Sequence, residues 1–206
     1  MKNFVTKFTD SAKEFANLRS LISAALLLAI HTVLALFVSI QISDSLRISF
    51  SFITNVITGA FFGPVVGFVC GGLGDIIQFI IKPTGAFNPG LTLDSAIAGM
   101  IYGIFFYKKF PSKASERKSK LLDIKFMGRC ILGITTDILI VNILLSTFWI
   151  SKLIGTPYFV LIVPRAVKNL IQLPVNVIIT YYVLTLVKGI NLMPPTISRK
   201  APSRSI

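Results

Sequence analysis

Three acids fall inside apolar stretches of this chain: Asp75, Asp94 and Asp137. A carboxylate so placed can accept two hydrogen bonds from a planar donor pair, whether an arginine or the amidine-like edge of a ligand. Cations complement them. Arg47 stands in Leu46-Arg47-Ile48-Ser49-Phe50-Ser51-Phe52, and Arg165 and Lys168 are followed by Asn169, Gln172 and Asn176. Ionisable groups within a span are costly and usually face a water-filled cavity or a partner. These cations suit a carboxylate-bearing ligand. Blander readings exist for each: snorkelling to headgroups for Lys82 and Lys152, placement at a helix N-terminus for Asp94, internal ion pairs or helix–helix hydrogen bonds for Asp75 and Asp137.

Aromatic residues gather near the same places. Phe50, Phe52, Phe87, Trp149, Tyr158 and Phe159 map to helix ends or loops on one side of the chain. An interfacial belt explains such a distribution. A flat conjugated ligand held between rings is the functional alternative.

Catalytic machinery is not visible. The chain has no G-x-x-x-x-G-K-[ST] and no G-x-S-x-G, and its single histidine, His31, excludes HExxH and reads as a polar packing residue. Cys70 and Cys130 lack metal or disulfide spacing and read as small apolar filler. No metal or cofactor is expected. The formal charge of +13 sits in the tails and one loop beside apolar spans, which fits anionic lipid headgroups better than nucleic acid.

The elements that must position these residues are six apolar stretches, long enough in the main to cross a bilayer. The expected helices run about 21–42, 50–62, 65–81, 92–107, 126–149 and 164–188. A tight turn at Gly63-Pro64 separates the second from the third, because proline disfavours helical geometry in the preceding residue. Outer loops are expected at 41–49, 82–91 and 151–163. Pro164 suits a first helical position, which would bring a positive dipole end close to Arg165. The stretch 108–125 holds seven Lys/Arg against two acids and reads as the main cytoplasmic loop.

Residues 1–19 interleave aromatics and lysines as a cytoplasmic interfacial helix or tail; 20–188 form the membrane domain, and 189–206 a disordered cytoplasmic tail. Counting Lys and Arg gives sixteen on the proposed cytoplasmic side and five outside. The expectation is an all-α membrane protein, a six-transmembrane-helix bundle in the cell membrane with cytoplasmic N and C termini. Small residues recur at four-residue intervals: Gly59, Gly63, Gly67 and Gly71; Ser95, Gly99 and Gly103; Ala25 and Ala29. Such spacing lets helix backbones approach closely. For the alanine pair a contact with another subunit is also open.

The combination Leu46 to Ile53, Phe62-Gly63-Pro64-Val65-Val66-Gly67, Gly71 to Asp75, Ile81-Lys82-Pro83-Thr84-Gly85 with Phe87, Pro89 and Gly90, and Pro164-Arg165 through Lys168-Asn169 to Pro174 resembles a known family. It is similar, over about residues 20–188, to the substrate-binding S components of energy-coupling-factor vitamin transporters, closest to their folate-specific branch. One departure is Thr54, where that branch often carries proline.

The resemblance implies an outward-facing pocket that captures folate with high affinity. Delivery would follow by tipping of the whole subunit, driven by a transmembrane coupling subunit and two ATPase subunits. It implies that Asp75 meets the pterin, that Phe50, Phe87 and Trp149 stack on or enclose it, and that Arg47, Arg165 and Lys168 meet the glutamate carboxylates or rim the pocket. Asn169 and Gln172 would donate from the last helix, and Ala25 and Ala29 would contact the coupling subunit. The alternatives are an S component for riboflavin or pantothenate, a small autonomous carrier or channel, and an intramembrane enzyme, for which no nucleophile–base pair is displayed.

Overall fold

A computed structural model of the chain describes residues 2–37, 39–43, 46–83, 86–108 and 116–187. The tail after 188, the basic stretch 109–115 and the side chain of Arg47 lie outside the described residues.

Helix α1 covers Lys2–Glu14 and α2 covers Leu18–Phe37. The chain then leaves the helical path. Strands β1 (Ser39–Ser43) and β2 (Leu46–Ser49) pair antiparallel, with Ile40 opposite Ile48 and Gln41 opposite Arg47. The first long helix therefore ends five residues before the expected 42, and the fold carries a small hairpin besides its helices. Period-two alternation of Ile40, Ile42, Leu46 and Ile48 with polar residues is a strand pattern, and it outweighs the bare hydrophobicity that extended the expected helix.

Helix α3 (Phe52–Phe62) is short and ends at Gly63, whose φ of +90° is a conformation that favours glycine. Pro64 then opens α4 (Pro64–Ile81) at a position where its missing N–H costs nothing. Helix α5 (Pro89–Phe106) starts behind Asn88, whose side chain accepts from the Gly90 N–H at 2.9 Å.

The next crossing differs from the single expected helix over 126–149. Helix α6 starts at Glu116, inside the stretch read as a loop, and runs to Asp137. A π segment follows over Ile138–Leu145, and α7 (Ser146–Ile154) continues to a left-handed Gly155. Helix α8 covers Tyr158–Val187 with Pro164 and Pro174 inside it, so the connector shrinks to 155–157. Proline inside a membrane helix is tolerated where neighbours re-satisfy the freed backbone groups. Arg165 consequently sits two turns into α8, beyond the first-turn reach of the helix dipole.

Among the described residues, five helical stretches are long and apolar enough to cross a membrane, the α6–π–α7 run over Ile124–Ile154 counting as one; α3 is a shorter apolar helix. Two clusters form the core among the described residues. One joins α3, α5, α6 and α8 through Val56, Tyr102, Phe106, Ile134 and Leu184, and the other joins α2, α3 and α4 through Ala24, Phe61 and Val66. Glycines set the closest approaches. A Cβ on Gly59 would lie 2.6 Å from the Gly103 nitrogen, and Gly67 and Gly99 face each other backbone to backbone. The outside is apolar, with Phe37, Ile80, Leu170 and Phe159 more than two-thirds exposed, as expected for a surface solvated by lipid.

Candidate functional site

Polar side chains from separate helices converge on a cavity of about 310 Å³. Helix α3 contributes Asn55, with Ser51 and Phe52 at its start; α4 contributes Asp75 and Gln78; α5 contributes Asp94, Ser95 and Tyr102. The π segment and its flanks supply Asp137, Asn142 and Ser146. One face of α8 supplies Lys168, Asn169, Gln172 and Asn176, spaced at intervals that put them on adjacent turns.

All three acids line this space, each held by a hydroxyl. Thr92 donates to Asp75 Oδ2 at 2.7 Å, Ser146 to Asp94 Oδ2 at 2.7 Å, and Tyr102 to Asp137 Oδ2 at 2.8 Å. Asn142 Nδ2 reaches the same Asp137 oxygen at 3.2 Å. The second oxygens of Asp94 and Asp137 are buried and have no hydrogen-bond partner among the described residues. A buried acceptor left without a partner is expensive, so these two oxygens are poised to receive donors from a bound molecule.

The π segment explains how so many polar groups reach one place. Its widened turns free main-chain carbonyls that an α-helix would occupy. The Asn142 carbonyl accepts from Arg165 Nη2 at 3.3 Å and from the Thr147 hydroxyl at 3.3 Å, and the Ile143 carbonyl accepts from the Tyr158 hydroxyl at 3.4 Å. Arg165 is buried and ties α8 to this segment.

Of the residues singled out from the sequence, Asp75, Lys168, Asn169 and Gln172 share the cavity. Phe50, Phe87, Trp149 and Arg165 are not among its lining residues. Phe87 is half exposed and packs on Phe79 with ring centroids 5.1 Å apart. Trp149 lies against the start of α5, where a Cβ on Gly90 would overlap the indole. Residues not singled out as site residues also line it. Tyr102 and Asn142 gave no signal beyond being polar in apolar runs. His31 lines the cavity, buried, with Nδ1 2.9 Å from the Thr54 hydroxyl. Thr54 also donates to the Ser51 carbonyl at 2.6 Å, two contacts that a proline there would lack.

The family model for the ECF transporter, substrate-specific component, matches residues 19–184. The chain belongs to that family. It is 33% identical over 173 residues to the folate transporter FolT of Clostridium novyi, covering 84% of this chain and 92% of that relative. A folate transporter FolT of Leuconostoc mesenteroides is 28% identical over 172 residues, covering 81% and 84% respectively. Among solved structures, a crystal structure of FolT bound with folic acid matches with a TM-score of 0.69 at 29% identity, over 82% of this chain and 96% of that one. Membership and the apolar helices together make this substrate-specific component a membrane protein.

Proposed function

We propose that this substrate-specific component binds folate on the outer face of the cell membrane and delivers it by tipping within the bilayer. A transmembrane coupling subunit and two ATPase subunits would drive that movement. The observation that carries this reading is the match to FolT bound with folic acid over nearly the whole of that structure. Six helical crossings with both termini cytoplasmic agree with the distribution of Lys and Arg along the chain.

The cavity's chemistry supports the same ligand. A pterin presents an amino group and ring N–H groups in one plane, and a carboxylate accepts such a pair. Asp75 is the sequence candidate for this role, and the unpartnered oxygens of Asp94 and Asp137 add two further acceptors. Lys168, with Asn169 and Gln172 on the same face of α8, would meet the glutamate carboxylates. Arg47 and Arg165 would supply positive charge at the rim and behind the wall. Phe50, Phe87 and Trp149 would enclose the ring system once the loops close over it.

Isothermal titration of the detergent-solubilised chain with folic acid, riboflavin and pantothenate tests the ligand. Saturable binding of folic acid alone is the expected result. Binding of riboflavin or pantothenate with no response to folic acid would overturn it.

A further inference from the structure

Helices α5 and α6 touch closely at one level and part at another. A Cβ on Gly133 would come to 3.0 Å from Phe106 Cζ and 3.3 Å from Phe105 Cβ, whereas one on Gly128 would meet nothing within 4 Å. The wedge between them is a groove of about 750 Å³, within the ~300–1,000 Å³ usual for small-molecule sites. It lies apart from the polar cavity and shares no residue with it.

The walls of this groove are apolar, with Phe105 from α5 and the largely exposed Leu132 from α6. Its mouth is not. Lys125 and Arg129 line it one helical turn apart, a spacing that puts both on one face of α6. Neither makes an ion pair or a side-chain hydrogen bond among the described residues. On the other lip, Lys7 of α1 donates to the Ile104 carbonyl at 2.7 Å, adding a third cation nearby.

We infer that this groove is a binding site for a phospholipid with an anionic headgroup. One acyl chain lies against Phe105 and Leu132, and the phosphate sits between Lys125 and Arg129. Basic pockets between membrane helices hold anionic headgroups in this way. Charge complementarity selects the occupant, because a neutral lipid or an apolar protein helix would leave both cations unanswered at the edge of the bilayer. The inference needs only that the chain lies in a bilayer; it is independent of folate as the ligand.

Native mass spectrometry of the full chain in detergent, with phosphatidylglycerol or phosphatidylcholine added, tests it. The wild-type chain should retain phosphatidylglycerol with about a tenfold preference. The double variant Lys125→Gln/Arg129→Gln should lose that preference, while Lys125→Arg/Arg129→Lys keeps it. Gly128→Phe, which fills the groove from its open side, should lower retention of both lipids. Equal retention of the two lipids by the wild type, or an undiminished preference in the glutamine variant, would overturn the site. Displacement of phosphatidylglycerol by millimolar inorganic phosphate would overturn the lipid assignment in favour of a simple anion site.

Discussion

The Ser146 hydroxyl donates to Asp94 Oδ2 across 2.7 Å, joining the first residue of α7 to the second turn of α5. Both residues line the polar cavity, and Asp94 keeps its other oxygen buried and, among the described residues, without a hydrogen-bond partner. The bond fixes the carboxylate plane. What remains is an acceptor aimed by the protein and not consumed by it.

Asp94→Asn should therefore separate packing from binding. The amide can still accept from Ser146, but its charge is gone and one acceptor becomes a donor. Loss of a charge-assisted hydrogen bond is worth ~1.5–3 kcal/mol, so folate affinity should fall by about tenfold to a hundredfold in calorimetric titration. An unchanged affinity would leave the pterin to Asp75 or Asp137 and reduce Asp94 to a brace for α7.

Ala25 and Ala29 are exposed on α2, while Ala24 beside them is buried in the core. Leucine at either position should leave folate binding unaltered and abolish uptake by cells that carry the ATPase module. If titration shows that the Ala29→Leu protein no longer binds, the pair supports the fold and not a subunit contact.

Gly67→Ala should be severely destabilising, because its Cβ would overlap the Gly99 carbonyl where α4 crosses α5. Overpacking costs ~1–3 kcal/mol when side chains can yield, and backbone yields less readily. Gly72→Ala is the matched control, its Cβ lying 3.5 Å from that of Ala96 in ordinary contact. Thermal unfolding in detergent should show a marked drop for the first variant and almost none for the second.

Some of this architecture was legible in the residues. Gly63-Pro64 marked a turn because proline disfavours helical geometry in the residue before it and glycine is free to take a positive φ, and the structure ends α3 and starts α4 at that point. Four-residue glycine spacing announced close helix packing, which Gly59, Gly67 and Gly103 provide. Lys168, Asn169 and Gln172 share the cavity because their intervals match helix turns. Pro164 misled: the same residue suits a first turn or an interior kink, and nothing local separates the two. The π segment is an apolar run, Ile138–Leu145, whose hydrophobicity would look the same in any helical form. Trp149 was ambiguous for another reason, since an aromatic at a helix end fits a belt, a pocket or a bed against glycine. Tyr102 and Asp137 meet across 35 positions of sequence, and only tertiary packing brings them into register.

A π turn holds one residue more than the α ladder would, and an extra residue rotates everything downstream by about 100° around the helix axis. Ser146 lies just past that insertion. Straightened into a plain α-helix, the same stretch would swing this hydroxyl away from Asp94 and carry Trp149 off its seat on Gly90. The irregular winding thus acts as an angular spacer, and the guanidinium of Arg165 donates to the Asn142 carbonyl within it.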